Sequence, residues 1–383
     1  MKNIRELFNM ADKITYLDSA ALALKPNIAI EASNDFYLNH SVSTRTSDSP
    51  LGIKTVNIIK ETRKKVANLI EAKSDEIIFT SGTTDSLNKA ANMLKSLLKK
   101  DDVILLSAYN HSSNLKPWIS IAEETGAKVL IEENLIDFIN EKTKIIAYSQ
   151  MTNNFTYNSN TDEIYEKANK YGALVVNDAA QAIIYEQVSL EKSHIVAFSC
   201  NKFYGPTGLG ILAIQEKLLN ELPPVVYGGG AVLGMNKDKT FVLKKGYELH
   251  EPGTLNLAGI FMFNKSLDFF NEIGGYNSVQ KILDDLSLYA YNKLSKIKNV
   301  TIYTNPKDHI ILINVKNINS QDVSHYLGQK NIYVRSGIFC AQYLKHIKKD
   351  SSYLRISLGI YNNYDDIDKL AYELENGGDF LVI

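Results

Sequence analysis

Lys202 stands in "SCNKFYGPTGLG", residues 199–210, where the spacing is Ser–x–x–Lys–x–x–Gly–Pro–x–Gly. A long flexible cation suits a glycine-rich turn poorly unless its amine has work there, and an amine of this kind condenses with an aldehyde cofactor. Pyridoxal phosphate asks four things of a protein: the lysine, an acid for the ring nitrogen, a cradle for the phosphate, and a group on the ring face. Asp178, in "VVNDAAQA", ends an apolar run and supplies an acid; it reads equally as a helix N-cap at a strand–helix turn. "SGTTDS", residues 81–86, offers hydroxyls and a glycine ahead of a helical pattern. Free N–H groups at such a start favour an anion, although the same residues also cap helices well. His111, in "YNHSSN", either stacks on a ring or caps a turn.

The elements that must hold these residues alternate. Residues 103–109, 144–150 and 173–179 are apolar runs of strand length, while 86–100 and 162–172 carry helical periodicity with a charged face. This alternation predicts α/β units on a mainly parallel sheet, with ligands beyond the carboxyl ends of the strands. His111, Asn153 and Asp178 all follow or end such runs. The last third changes character. Residues 277–300 read as one amphipathic helix, followed by strand-like runs at 309–315, 331–337 and 353–359. We expect a large domain over 20–259 and a small α+β domain made of 1–19 and 260–383.

The 383 residues are 45% hydrophobic and 22% charged, with a net charge of -1. That balance points away from nucleic acid and from membrane surfaces. No apolar run is long enough to span a bilayer, and the N-terminus lacks the apolar stretch of a secretory signal. The two cysteines, Cys200 and Cys340, suit a reducing cytoplasm better than a disulfide, and no metal-ligand spacing is present.

Taken in order, SGTT, the histidine after a strand, Asp–x–x–Gln and the lysine loop resemble the class V aminotransferase family of fold-type I pyridoxal-phosphate enzymes. Within it the sequence looks like the SUF-type cysteine desulfurase and selenocysteine lyase branch, from "YLDSAALALKP" (16–26) to "LRISLGIYNNYDDIDKL" (354–370). The resemblance implies a cytoplasmic homodimer that moves sulfur from L-cysteine toward iron–sulfur cluster assembly through an acceptor protein. Selenocysteine lyase, or another class V lyase or transaminase, is the alternative. It implies that Lys202 forms the Schiff base, that Asp178 meets the ring nitrogen, and that Gln181 meets the phenolic oxygen. Thr83, Thr84 and Ser199 would hold the phosphate and His111 would stack on the ring. Thr254, in "EPGTLN", would reach the phosphate of the neighbouring subunit. Asn153 and Arg355 would face the substrate carboxylate, a role that suits the planar fork of arginine. Cys340, in "VRSGIFCAQ", would carry the persulfide, and Cys200 is expected to pack.

The sequence departs from that pattern in two places. Asn201 stands where a histidine commonly precedes the lysine, and asparagine cannot act as an acid near neutral pH. Ile338 and Phe339 replace a polar pair before Cys340, which predicts an apolar mouth, a desolvated thiol and slow turnover.

Overall fold

The structure is a computed structural model that describes residues 4–44, 48–157 and 159–376. A short strand β1 (Thr15–Tyr16) precedes the helices α1 (Asn27–Asp35) and α2 (Pro50–Leu69). The large sheet then forms from β2 (Ile77–Thr80), β3 (Val103–Ser107), β4 (Lys128–Glu132), β5 (Thr143–Ser149), β6 (Leu174–Asp178), β7 (Ile195–Ser199) and β8 (Gly210–Ile214). Its order is β2-β8-β7-β6-β5-β3-β4. Every neighbouring pair is parallel except the two that involve β8. The mainly parallel sheet expected from the alternation is present.

Strands such as β3 and β8 are buried at every position because helices cover both faces of the sheet. The crossovers supply them: α3 (Thr83–Leu94), α4 (Lys116–Thr125), α5 (Thr161–Tyr171) and the short α6 (Ala182–Tyr185). Trp118 of α4, Leu87 of α3 and Ile104 of β3 share one buried cluster. After β8 come a short α7 (Glu216–Leu219) and a hairpin of β9 (Val232–Met235) with β10 (Phe241–Leu243).

Two long helices link this layer to the second sheet. α8 (Leu257–Glu272) packs on α1 and α2, and α9 (Gly275–Leu294) packs on α6 and on the C-terminal α12 (Tyr364–Asn376). The second sheet runs β11 (Val300–Ile302), β12 (Ile310–Val315), β15 (Tyr353–Ser357), β14 (Arg335–Gly337), all antiparallel. α10 (Ser320–Gln329) packs on it, and α11 (Leu344–Ile347) follows the Cys340 loop.

Two expectations fail in detail. The helix foreseen over 277–300 stops at Leu294, because Val300 is already paired with Val315. The run 331–337 is not one strand. Ile332 and Tyr333, in β13, pair in parallel with Thr15 and Tyr16, whereas Arg335–Gly337 pair with β15. The break sends the chain from one sheet to the other and into the loop that carries Cys340. The N-terminal segment packs against this region, as its apolar residues foreshadow. Phe8 is fully buried against Tyr204, Phe269 and Tyr361.

Candidate active site

The carboxyl ends of β2, β3, β5, β6 and β7 open on one cavity of about 340 Å3. Among the residues singled out from the sequence, Thr83, Thr84, His111, Asn153, Asp178, Gln181, Ser199 and Lys202 line it. Three do not. Arg355 and Cys340 lie behind or beside the wall, and Thr254 is exposed on the loop before α8.

Backbone geometry builds the floor. Gly82, at φ 153, precedes α3 and provides no side-chain cap, so the first N–H groups of that helix face the cavity without one. Gly210 of β8 lies directly against it; a methyl group there would come within 2.4 Å of the Gly82 Cα. Both glycines are therefore needed for the helix to start where it does. The Thr83 hydroxyl is buried without a partner, and the Thr84 hydroxyl meets that of Ser113 at 2.8 Å.

Asp178 is 4% exposed at the end of β6. One oxygen accepts the Ala180 N–H at 3.1 Å and the other lies 3.5 Å from the Ser149 hydroxyl. It has no ion-pair partner among the described residues, and burial raises its pKa while Lys202 opposes the rise. The N-cap alternative is met only in part: Asp178 closes a turn onto Ala180, but the short α6 starts further on, at Ala182. Lys202 has its amine pKa brought down to about 8, first by burial, with Asp178 holding it up and Arg355 and Arg335 pushing it down. His111 Nδ1 accepts the Ser113 N–H at 3.1 Å. Burial and then the charges of Lys202, Arg335 and Arg355 lower its pKa to about 4, so the ring is neutral over the physiological range.

Sequence inspection overlooked how much of this is held by the N-terminal opening. The Ala20 carbonyl accepts from Gln181 Nε2 at 2.9 Å. Lys25 Nζ donates to the Asn201 carbonyl at 2.6 Å, beside Lys202, and burial lowers its pKa to about 7. Asp18 pairs with Arg355 at 2.7 Å. The signal was available: a charged Asp and Lys inside an otherwise apolar stretch that starts a fold have partners to find. Asn201, the residue that departs from the expected histidine, turns its amide oxygen to the buried side without a partner and lines the cavity.

Arg355 is 1% exposed in β15. Its Nη1 donates to the Asn153 carbonyl at 3.1 Å, its guanidinium lies 4.8 Å over the Phe339 ring, and its buried Nε has no partner. Register places Arg335 opposite Arg355 on the neighbouring strand. Arg335 is partly exposed, forms no ion pair among the described residues, and was not foreseen from the sequence.

Of the apolar pair expected at the mouth, Ile338 is half-buried and Phe339 is withdrawn from it. Phe339 is 3% exposed and packs with Tyr109, Phe155 and Tyr353 beneath Arg355, so its ring points away from the mouth. Cys340 is exposed rather than buried beneath that pair. Cys200 is buried, which raises its thiol pKa well above the ordinary value.

Residues 15–370 match the model of the aminotransferase class-V family, and the chain belongs to that family. A probable cysteine desulfurase of Ureaplasma parvum is 35% identical over 371 residues, covering 93% of this chain and 92% of the relative. The structure of the Escherichia coli cysteine desulfurase CsdA, in an S-sulfonic acid form, superposes with a TM-score of 0.92 at 28% identity, over 99% of this chain and 98% of that one. A C-DES mutant with glycine covalently linked to its pyridoxal-phosphate cofactor has a TM-score of 0.83 at 17% identity, over 97% and 99% of the two chains; it shows the shared fold.

The cavity residues fit pyridoxal phosphate. A buried carboxylate without a cation partner suits a protonated ring nitrogen, and an uncapped helix start with an orphaned Thr83 hydroxyl suits a phosphate. A lysine of lowered pKa suits an aldehyde. Among the described residues no group of three metal-ligating side chains comes together, and no helix is long and apolar enough to cross a membrane.

Proposed function

We propose that the chain is a pyridoxal-phosphate-dependent cysteine desulfurase, which moves the sulfur of L-cysteine onto Cys340 and releases L-alanine. One observation carries this: an exposed cysteine whose loop is bonded to Asn153 and Ser112, beside a cavity that holds a lysine of lowered pKa and a buried acid. The relatives and the superposed structure support the same activity.

When bound, pyridoxal phosphate supplies an aldehyde that joins amines and a ring that withdraws electrons from a substrate α-carbon. Lys202 anchors it and moves the α-proton of the substrate; an amine pKa of about 8 leaves a useful neutral fraction near neutral pH. Asp178 would meet the ring nitrogen and Gln181 the phenolic oxygen, and His111, a neutral imidazole, would lie on the ring face. Thr83, Thr84, Ser199 and the start of α3 would hold the phosphate. Asn153 and Arg355 would orient the substrate carboxylate, a role that suits the planar fork of arginine. The Cys340 thiolate attacks the substrate sulfur. An S–S bond forms as the Cβ–S bond breaks, the bonding pair stays on carbon, and a proton completes the methyl group of alanine. The balance is one thiol and one cysteine to one persulfide and one alanine.

A homodimer accounts for Thr254. Its loop is tied to the base of the β9–β10 hairpin by the Gly253 N–H donating to the Gly229 carbonyl at 2.8 Å. The hairpin exposes Leu233, Met235 and Phe241, an apolar surface suited to a second copy. The acceptor of the sulfur is a protein thiol rimmed by acids, because Lys345 and Lys349, on and just after the short helix that follows the Cys340 loop, are exposed and form no ion pair among the described residues.

The test is to incubate the purified holoenzyme with L-cysteine and quantify alanine and protein persulfide together. Equal amounts in a single turnover, with the added sulfur on the Cys340 peptide by mass spectrometry, support the proposal. Alanine without persulfide, or sulfur on Cys200, overturns it in favour of another class V reaction such as selenocysteine cleavage.

A further inference from the structure

Residues 110–114 lie between the cavity and the Cys340 loop, and they are fixed from several sides. The fully buried Asn110 donates through Nδ2 to the Asn114 carbonyl at 3.1 Å and the Ala147 carbonyl at 2.9 Å. Trp118 Nε1 donates to Asn114 Oδ1 at 2.8 Å, and Ser113 reaches Thr84 at the start of α3. His111 lines the cavity from this rigid segment. The next residue turns to the other domain: the Ser112 N–H and hydroxyl both donate to the Cys340 carbonyl, at 2.7 and 2.6 Å.

The Cys340 loop needs such a grip. Phe339 and Cys340 have φ of 54° and 59°, consecutive residues with side chains in the left-handed region. Each such residue costs about 1–2 kcal/mol, so local preference does not produce this turn and surrounding contacts must hold it. Among them, Asn153 Nδ2 donates to the Phe339 carbonyl at 2.8 Å, and Ser112 takes the next carbonyl with two donors.

We propose that Ser112 is a positioning residue for sulfur transfer: by gripping the Cys340 carbonyl it makes the large domain, and specifically the loop that carries His111, set where the thiol stands. Its role is specific to the desulfurase reaction proposed above, since α-proton movement at Lys202 does not need the thiol. Removing the hydroxyl loosens the turn without touching the cavity.

Three variants of the holoenzyme test this. Ser112→Ala keeps the N–H and loses the hydroxyl. Ser112→Thr keeps both donors. Ser112→Pro loses both, at the first position of a helical turn, after a residue with ψ of 149° that tolerates a following proline. Three readouts apply: alanine formed from L-cysteine, exchange of the α-proton of L-alanine in heavy water, and amide hydrogen exchange over residues 337–341. Desulfuration should fall between about twofold and tenfold in the alanine variant, the range one hydrogen bond allows, and further in the proline variant. The threonine variant should retain it. Exchange at L-alanine should stay within twofold of wild type in the alanine variant, while the amides of 337–341 exchange faster. A parallel fall in α-proton exchange in the alanine variant makes Ser112 a general structural residue and overturns the proposal, as does unchanged desulfuration with unchanged amide exchange. If the wild type forms no alanine from cysteine while the loop amides still quicken, the desulfurase activity fails and the grip on the loop stands.

Discussion

The lysine pocket and the cysteine loop are built on opposite principles. Lys202 and Asp178 belong to strand ends of one sheet, where parallel register brings them together and burial sets their protonation. Cys340 sits on a turn whose own backbone is unfavourable, exposed to solvent and held by side chains from the loops that follow β3 and β5. The first site is preorganised by secondary structure; the second depends on how the two sheets meet. The pocket should therefore survive changes that abolish sulfur transfer, and the loop should be useless without the pocket.

The largest effects separate the two regions outright. Lys202→Ala should lose the borohydride-reducible cofactor and all turnover. Cys340→Ser should keep the cofactor and its spectral response to L-cysteine but release no alanine. A serine variant that still desulfurates would erase the division, because the pocket alone would then suffice.

A smaller effect lies at the seam. Arg355 is buried with Asp18, Asn153 and Phe339 around it, whereas Arg335 is partly exposed and forms no ion pair among the described residues. Arg355→Ala should retain the cofactor and weaken cysteine binding by about 2–5 kcal/mol, as when one partner of a buried charge pair is lost. Arg335→Ala should raise KM only severalfold. Equal effects, measured by steady-state kinetics, would mean that Arg335 shares the carboxylate directly.

Sulfur release should depend on the rim. Lys345→Glu with Lys349→Glu should slow transfer to a thiol peptide flanked by glutamates severalfold at low salt, and the difference should shrink as salt screens it. Transfer to a neutral small thiol should not change. A lysine-flanked thiol peptide that wild type prefers would reverse the sign assigned to this surface.

The contrast also explains what was legible in the sequence. Strands β3, β5 and β6 and the residues at their ends follow from apolar runs and turn residues, both local signals. The Ser–x–x–Lys–x–x–Gly–Pro run likewise sits in one stretch of chain. The roles of Asp18, Lys25 and Ser112 were not legible. Their partners, Arg355, Asn201 and Cys340, lie 337, 176 and 228 residues away and meet them only after both sheets have formed. Phe339 misled for the same reason: beside a cysteine it reads as part of a mouth, yet tertiary packing under Arg355 turns it inward.

The smallest effect concerns stability, and it tests whether the pocket is strained in advance of cofactor. In the apoprotein the Lys202 pKa is about 8 against an ordinary value of 10.5, chiefly through burial. The folded state thus disfavours the charged amine. Between pH 8 and 10.5 the unfolded chain binds more protons at this position than the native one, so stability from this group rises with pH across that window. Below pH 8 both states are protonated and the penalty is constant. Lys202→Met should therefore raise the melting temperature of the apoprotein by a few degrees at pH 7, and the advantage should shrink as pH rises through 8 toward 10.5. Thermal melts of apoprotein across that range measure it. An advantage independent of pH would place its origin in side-chain packing, and a less stable methionine variant would show that Asp178 already compensates the charge of Lys202 in full.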